Sequence, residues 1–342
     1  MSGNLISSSP MSGKPSSSKP MRVGPALRWL VTAVAAAIVW LPQPGVAQEW
    51  PSRTVTLTQT FAGGGMMDFA IRAIAQAMTE TFGQTFVVET KQGGGGVVGL
   101  VATAKAPPDG YHFVVTAIGP MVFRPLVEKT IGFDPDKDFE PVILIGATPN
   151  GVLAAPKLGV STIAELKTWA ARNGNKLNIG MPGIGTMGQY CGVLLLQKLG
   201  IEGNFINYRG GTPIVQDLLG GQIELGTPAF GPSAMSTKVL AIAADKRLDA
   251  VPAVPTLKEA GVDITCATWN AIFAPRGTPK AIVVKLNAAI DAYLQKPETQ
   301  KAFNDIGMTP WGGTPERVTA QMADDRKTWG DIVIRLEAAN PK

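Results

Sequence analysis

Thr54-Val55-Thr56-Leu57-Thr58-Gln59-Thr60-Phe61-Ala62-Gly63-Gly64-Gly65-Met66-Met67-Asp68 is the stretch whose reading decides the fold. Its first eight residues are rich in β-branched side chains, which favour an extended, pleated backbone. Three glycines end the run, and apolar residues then recur at helical spacing over 68–82. Extended runs at 86–90 and 111–117, with a helical pattern at 97–104 between them, continue the βαβ alternation of a parallel sheet.

A second series repeats that alternation, with helical patterns at 161–172, 186–199 and 212–219 and extended runs at 177–181, 205–208 and 223–227. Between the two series, Phe133-Asp134-Pro135-Asp136-Lys137-Asp138-Phe139-Glu140-Pro141 reads as a turn before a crossing strand at 142–147. The chain returns at the apolar run 267–274, which Pro275-Arg276-Gly277-Thr278-Pro279 ends, and helices follow at 280–295 and 317–338. The fold class is therefore α/β, with two domains that are each a mainly parallel sheet flanked by helices. The expected division is a leader at 1–47, a first domain at 48–145, a second at 146–266, and a return to the first at 267–342. Two crossings between two such units imply a hinged cleft.

The leader has the pattern of a secretory signal. Met21-Arg22 through Arg28 is basic, 29–41 is apolar but too short to span a bilayer, and small residues at Gly45 and Ala47 place cleavage before Gln48. Residues 1–20 carry no periodic apolar pattern, and Met21 is an alternative initiator. Of the 31 basic residues, Lys14, Lys19, Arg22 and Arg28 lie in the leader, leaving 27 against 26 acidic ones. That balance, without clustered Lys or Arg, excludes an electrostatic footprint for nucleic acid. Cys191 and Cys266 enter an oxidising compartment after export, where a disulfide can form. The reading as two small buried hydrophobes is favoured, because cysteine is commonly buried without a role.

The chemistry sits at the strand ends. Glycines at Gly63, Gly64 and Gly65 allow close backbone approach, and the helix that follows offers free N–H groups and a positive dipole end to an anion. Asp68 is read first as a cap of that helix, since a carboxylate would repel a bound anion. Gly94-Gly95-Gly96-Val97-Val98-Gly99 matches a dinucleotide fingerprint, but the next strand ends Thr116-Ala117-Ile118-Gly119 with no acidic residue to hold a ribose. One histidine, His112, cannot build a metal site alone, and no nucleophile-base motif appears. No catalytic residue, metal or cofactor is expected. The candidate ligand-binding set is Phe61, Gly63 to Asp68, Thr116, Gly119, Gly185, Thr186, Gln189, Tyr208, Arg209, Gly210, Pro228 and Trp269. Within it Arg209 is either a carboxylate partner or a solvated rim charge, and Trp269 either a cleft wall or core.

These residues resemble the Bug family, the substrate-binding receptors of tripartite tricarboxylate transport systems. The resemblance spans 49–336 and includes Trp50-Pro51, the Gly63–Asp68 loop, Ala106-Pro107-Pro108-Asp109-Gly110-Tyr111, Tyr208-Arg209-Gly210, Asp217-Leu218-Leu219-Gly220-Gly221-Gln222 and Phe273-Ala274-Pro275. It implies a periplasmic Venus-flytrap fold, monomeric, that holds a small carboxylate largely by loop backbone and bridging waters and delivers it to membrane permease subunits. An exported sensor subunit, or an exported hydrolase or lyase on the same fold, are the alternatives. The chain departs from the family pattern at Ala62 and Gly63, where prolines are common, and at Met187 and Gln189. At Pro228 members often carry Asp, a carboxylate able to meet a ligand ammonium. Its loss, together with Met66 and Met67, predicts an uncharged-bodied mono- or dicarboxylate, aromatic ones included, over an amino acid. A bulky residue at Gly64 is expected to abolish binding.

Overall fold

In the computed structural model, which describes residues 49–339, the opening stretch becomes strand β1 (Val55–Gln59), a glycine turn and the helix Met66–Phe82. Val55 and Leu57 are fully buried, as are Ile71, Ile74 and Met78 on the helix face that covers the sheet. Parallel neighbours follow on either side of β1, namely β2 (Phe86–Thr90) and β3 (His112–Ala117). The signal-peptide reading lies outside the described residues. Among the described residues no helix is long and apolar enough to cross a membrane.

Crossing strands give the molecule its cleft. β4 (Phe139–Pro149) leaves the first sheet and β10 (Ala267–Pro275) returns to it, so the two run in opposite directions and pair antiparallel from Pro149↔Ala267 to Phe139↔Pro275. With the short β11 (Thr309–Pro310) on the outer edge, the first sheet has the order β11-β4-β10-β3-β1-β2. The second contains β5 (Gly151–Ala154), β6 (Lys176–Met181), β7 (Glu202–Asn207), β8 (Leu225–Gly226) and β9 (Lys238–Ile242), in the order β7-β6-β8-β5-β9. Both sheets are mixed: parallel where β and α alternate, antiparallel where strands enter from or lead to a crossing. The outbound strand runs to Pro149 in the first sheet, and the passage to the second falls on Asn150.

Asn150 is buried and fully engaged. Its N–H donates to Cys266 O (2.9 Å), its Nδ2 to Thr227 O (2.9 Å), and its Oδ1 accepts from Thr268 Oγ1 (3.2 Å). The two crossings are thus tied to each other where the hinge must bend. The favoured reading of the cysteines is overturned at this point. Cys191, on the helix Met187–Leu199, and Cys266, at the start of the return crossing, form a disulfide with Cα atoms 6.1 Å apart. Both were read correctly as buried, but a separation of 75 residues carries no hint that the fold brings them within bridging distance.

Candidate functional site

Three helices point their N-termini into one space between the sheets. The helix Met66–Phe82 starts from Gly65, the helix Met187–Leu199 from Thr186, and the helix Gly211–Leu219 from Gly210. Each leaves its first N–H groups without intrahelical partners. Thr186 spends its hydroxyl on capping, accepting from Gln189 N–H (3.3 Å) and donating to Gly183 O (2.7 Å). The two glycine N-caps have no side chain to offer, so the backbone donors there stay open. The three termini share one cavity between the lobes.

The first lobe contributes Phe61, Ala62, Gly65, Met66, Met67 and, from the end of β3, Ala117, Gly119 and Pro120. The second contributes Pro182, Thr186, Met187, Gly188, Gly210, Gly211, Pro228, Ala229 and Ser233. Thr268 and Asn270 complete the wall from the return crossing. No Asp, Glu, Lys, Arg or His lines it.

The sequence-predicted residues Phe61, Gly65, Met66, Met67, Gly119, Thr186, Gly210 and Pro228 therefore meet at one cavity. The others do not line it. Gly63, Tyr208 and Arg209 face a separate depression on the outer side of the rim, with Gln92, Thr212 and Gln216. Tyr208 donates to Asp217 Oδ2 (2.6 Å), and Arg209 is a solvated rim charge. Gly64 lies at the seam between the lobes, with φ +78°, where an added Cβ would stand 3.4 Å from Thr212 Oγ1. Its close neighbour is the opposite lobe and not a ligand. Thr116 is buried against Thr60 (3.2 Å between hydroxyls), while Gly185 donates its N–H to Gln189 Oε1 (2.6 Å), so both hold loop shape.

Asp68 takes the capping role in an altered form. Its Oδ2 accepts from Gly64 N–H (3.0 Å), just ahead of the N-cap, and its Oδ1 from Gln59 Nε2 (2.8 Å) and Arg72 Nε (2.8 Å). Burial opposes its charge, but the bonds from Arg72, Gly64 and Gln59 together hold the carboxyl below the usual range. Trp269 is core and not a wall: it is buried and donates Nε1–H to Asp325 Oδ2 (2.7 Å). Its neighbours Thr268 and Asn270 face the cavity because strand side chains alternate. Assigning the large aromatic to the core would have found them from sequence. Met187 entered the sequence reading only as a departure from the family pattern, while Gly188, Gly211 and Ser233, which follow glycine or proline turns, carried no signal of their own.

Both rims of the cleft are shut. On one, Ala62 N–H donates to Arg209 O (3.1 Å) and Thr212 Oγ1 to Gly63 O (2.9 Å). On the other, Arg124 Nη1 donates to Ile184 O (3.2 Å) while Gly119 packs against Gly185 and Thr186. Arg124 is otherwise held by Glu128 in an ion pair. This is the closed state of a two-lobed clamp.

Known proteins share this architecture. A family model for the tripartite tricarboxylate transporter family receptor matches residues 70–337. BugT of Bordetella pertussis is 29% identical over 310 residues, covering 89% of this chain and 95% of that one. Among solved structures, Rpa4515 of R. palustris with adipate superposes with a TM-score of 0.80 at 33% identity, over 84% of this chain and 98% of that one. MatC of Rhodopseudomonas palustris with bound malate gives a TM-score of 0.76 at 30% identity, over 83% and 100%. The order of the strands, the cleft between two sheets and these matches lead to one conclusion: the chain belongs to the tripartite tricarboxylate transporter receptor family, among its Bug-type solute-binding proteins.

Proposed function

We propose that this receptor captures a small organic carboxylate whose body carries no positive charge, and presents it, lobes closed, to the membrane subunits of its transporter. The observation that carries the reading is the combination of three helix N-termini on a cavity with no ionisable side chain. A carboxylate at such termini gains up to ~2 kcal/mol from each in a partly buried setting. An ammonium in the same cavity has no counter-charge, and its desolvation goes uncompensated. The adipate and malate held by the two related structures agree with this class of ligand. Met66, Met67 and Met187, flexible and polarizable, supply an adaptable apolar wall for the ligand body.

No paired nucleophile and base face the cavity, which supports binding and release over turnover. A ligand that touches both lobes shifts the open-closed equilibrium by its differential affinity for the closed state. Export to the periplasm with cleavage between Ala47 and Gln48 fits this role. Native mass spectrometry of ligand released from the purified protein, followed by thermal-shift titration with aliphatic acids, aromatic acids, aspartate and glutamate, tests the proposal. A carboxylic acid without an ammonium group is expected to stabilise most. Stronger stabilisation by aspartate or glutamate would overturn it.

A further inference from the structure

Asn270 stands apart from the rest of the cavity wall. It is 3% exposed, it faces the cavity from the return crossing, and its side-chain amide makes no hydrogen bond to any described residue. Its polar atoms are not sealed in the core but open onto the cavity, so they are available to a molecule that enters. Thr268, two residues earlier on the same face, has already donated its hydroxyl proton to Asn150 Oδ1, so toward the cavity it can only accept. This patch therefore offers one donor group, the Asn270 Nδ2, and two acceptors, Asn270 Oδ1 and Thr268 Oγ1. Exchanging the amide's O and N leaves that inventory unchanged.

We infer that Asn270, with Thr268, reads a neutral hydroxyl on the ligand body, making the cognate ligand a hydroxylated carboxylate; this rests on the carboxylate reading above. A second carboxylate would accept from Nδ2 but press an oxygen against Oδ1, and it brings no proton for Thr268. A hydroxyl both donates and accepts. An ammonium could donate to both acceptors, but the lining holds no carboxylate to balance its charge. When the lobes close on an acid lacking the hydroxyl, the amide is left unpaired, a penalty of about ten- to a hundredfold in affinity.

Calorimetry with two matched pairs, succinate against 2-hydroxysuccinate and butyrate against 3-hydroxybutyrate, tests this on the wild type and on Asn270→Leu and Asn270→Ala. Circular dichroism and ligand-free melting identify which variants fold. The wild type is expected to prefer the hydroxylated member of at least one pair about tenfold or more, and that preference is expected to fall below about threefold in the folded variants. Binding of the acids without such a preference, or a preference that survives both substitutions, overturns the role of Asn270 and leaves the carboxylate reading standing. If none of the four acids binds the wild type, the role of Asn270 falls, while the carboxylate reading is decided separately by the released ligand and the thermal-shift series. Should both variants misfold, Asn270→Val, apolar and β-branched as a strand position favours, takes their place with the same criteria.

Discussion

The two rims of the cleft are closed by different physical means. One is held by hydrogen bonds between Ala62 or Gly63 and the Arg209–Thr212 turn, with an open depression behind them. The other is a fit of glycine backbones, Gly95 against Ile184 and Gly119 against Gly185 and Thr186, reinforced by one guanidinium bond. Hydrogen bonds exchange readily with water and contribute modestly, whereas overlapping atoms cannot be accommodated without a shift of backbone. The first rim therefore acts as a latch, and the second as a stop that sets how far the lobes close.

The stop offers the larger effect. At Gly119 an added Cβ would lie 2.5 Å from Gly185 O and 2.9 Å from Thr186 Cα, both on the opposite lobe, while its own φ lies outside the left-handed region. Gly119→Ala is therefore expected to obstruct closure without straining the open form. Overpacking of about 1–3 kcal/mol in the closed state weakens ligand binding by roughly five- to a hundredfold. Calorimetry checks the affinity and ligand-free melting the open state. An unchanged dissociation constant would show that the second rim is not a stop. The substitution expected from sequence, bulk at Gly64, is less discriminating, because φ +78° strains any other residue there whether the cleft is open or shut.

The latch gives less. Thr212→Val keeps the shape of the side chain and removes its bond to Gly63 O. A net contribution of about 0.5–1.5 kcal/mol predicts a loss of roughly two- to tenfold in affinity, expressed as faster ligand release in stopped-flow measurements. If release accelerates more in Thr212→Val than in Gly119→Ala, the assignment of latch and stop is reversed.

Much of the frame was legible in the sequence, because the alternation of extended and helical patterns is local and the two crossings announce themselves by turn residues. The loops that begin helices were legible for the same reason: glycine before a helix needs no tertiary information to be read as an open N-terminus. What escaped depends on contacts between distant segments. Arg209 follows directly on Tyr208 and precedes Gly210, yet only the packing of Ala62 against that turn places its side chain outside the cavity. The choice of Trp269 over Thr268 and Asn270 was an error of face, since periodicity of two fixes which residues share a side but not which side meets the core. The disulfide at Cys191 and Cys266 was invisible for the related reason that it joins elements remote in the chain.

The smallest expected effect concerns pH, and it separates the cavity from both rims. No lining residue ionises, so affinity for an acid already deprotonated is expected to stay flat from about pH 6 to 9, within about twofold, by calorimetry. Two ionisable groups beside the first rim, Tyr208 and Asp68, keep their states across that window. Tyr208 is driven upward, first by burial and then by its bond to Asp217, and remains a donor. Asp68 lies below the usual carboxylate range, so its folded pKa is lower than its unfolded value of about 4. The stability it lends the first loop is thus fully present above that unfolded value and is lost only as pH falls through the depressed one. Decline below about pH 5 would follow from protonation of the ligand itself, and the Asp68 contribution would be lost only below about pH 4. A bell-shaped dependence centred within pH 6 to 9 would instead require an ionisable group in contact with the ligand, and would move the binding site out of this cavity.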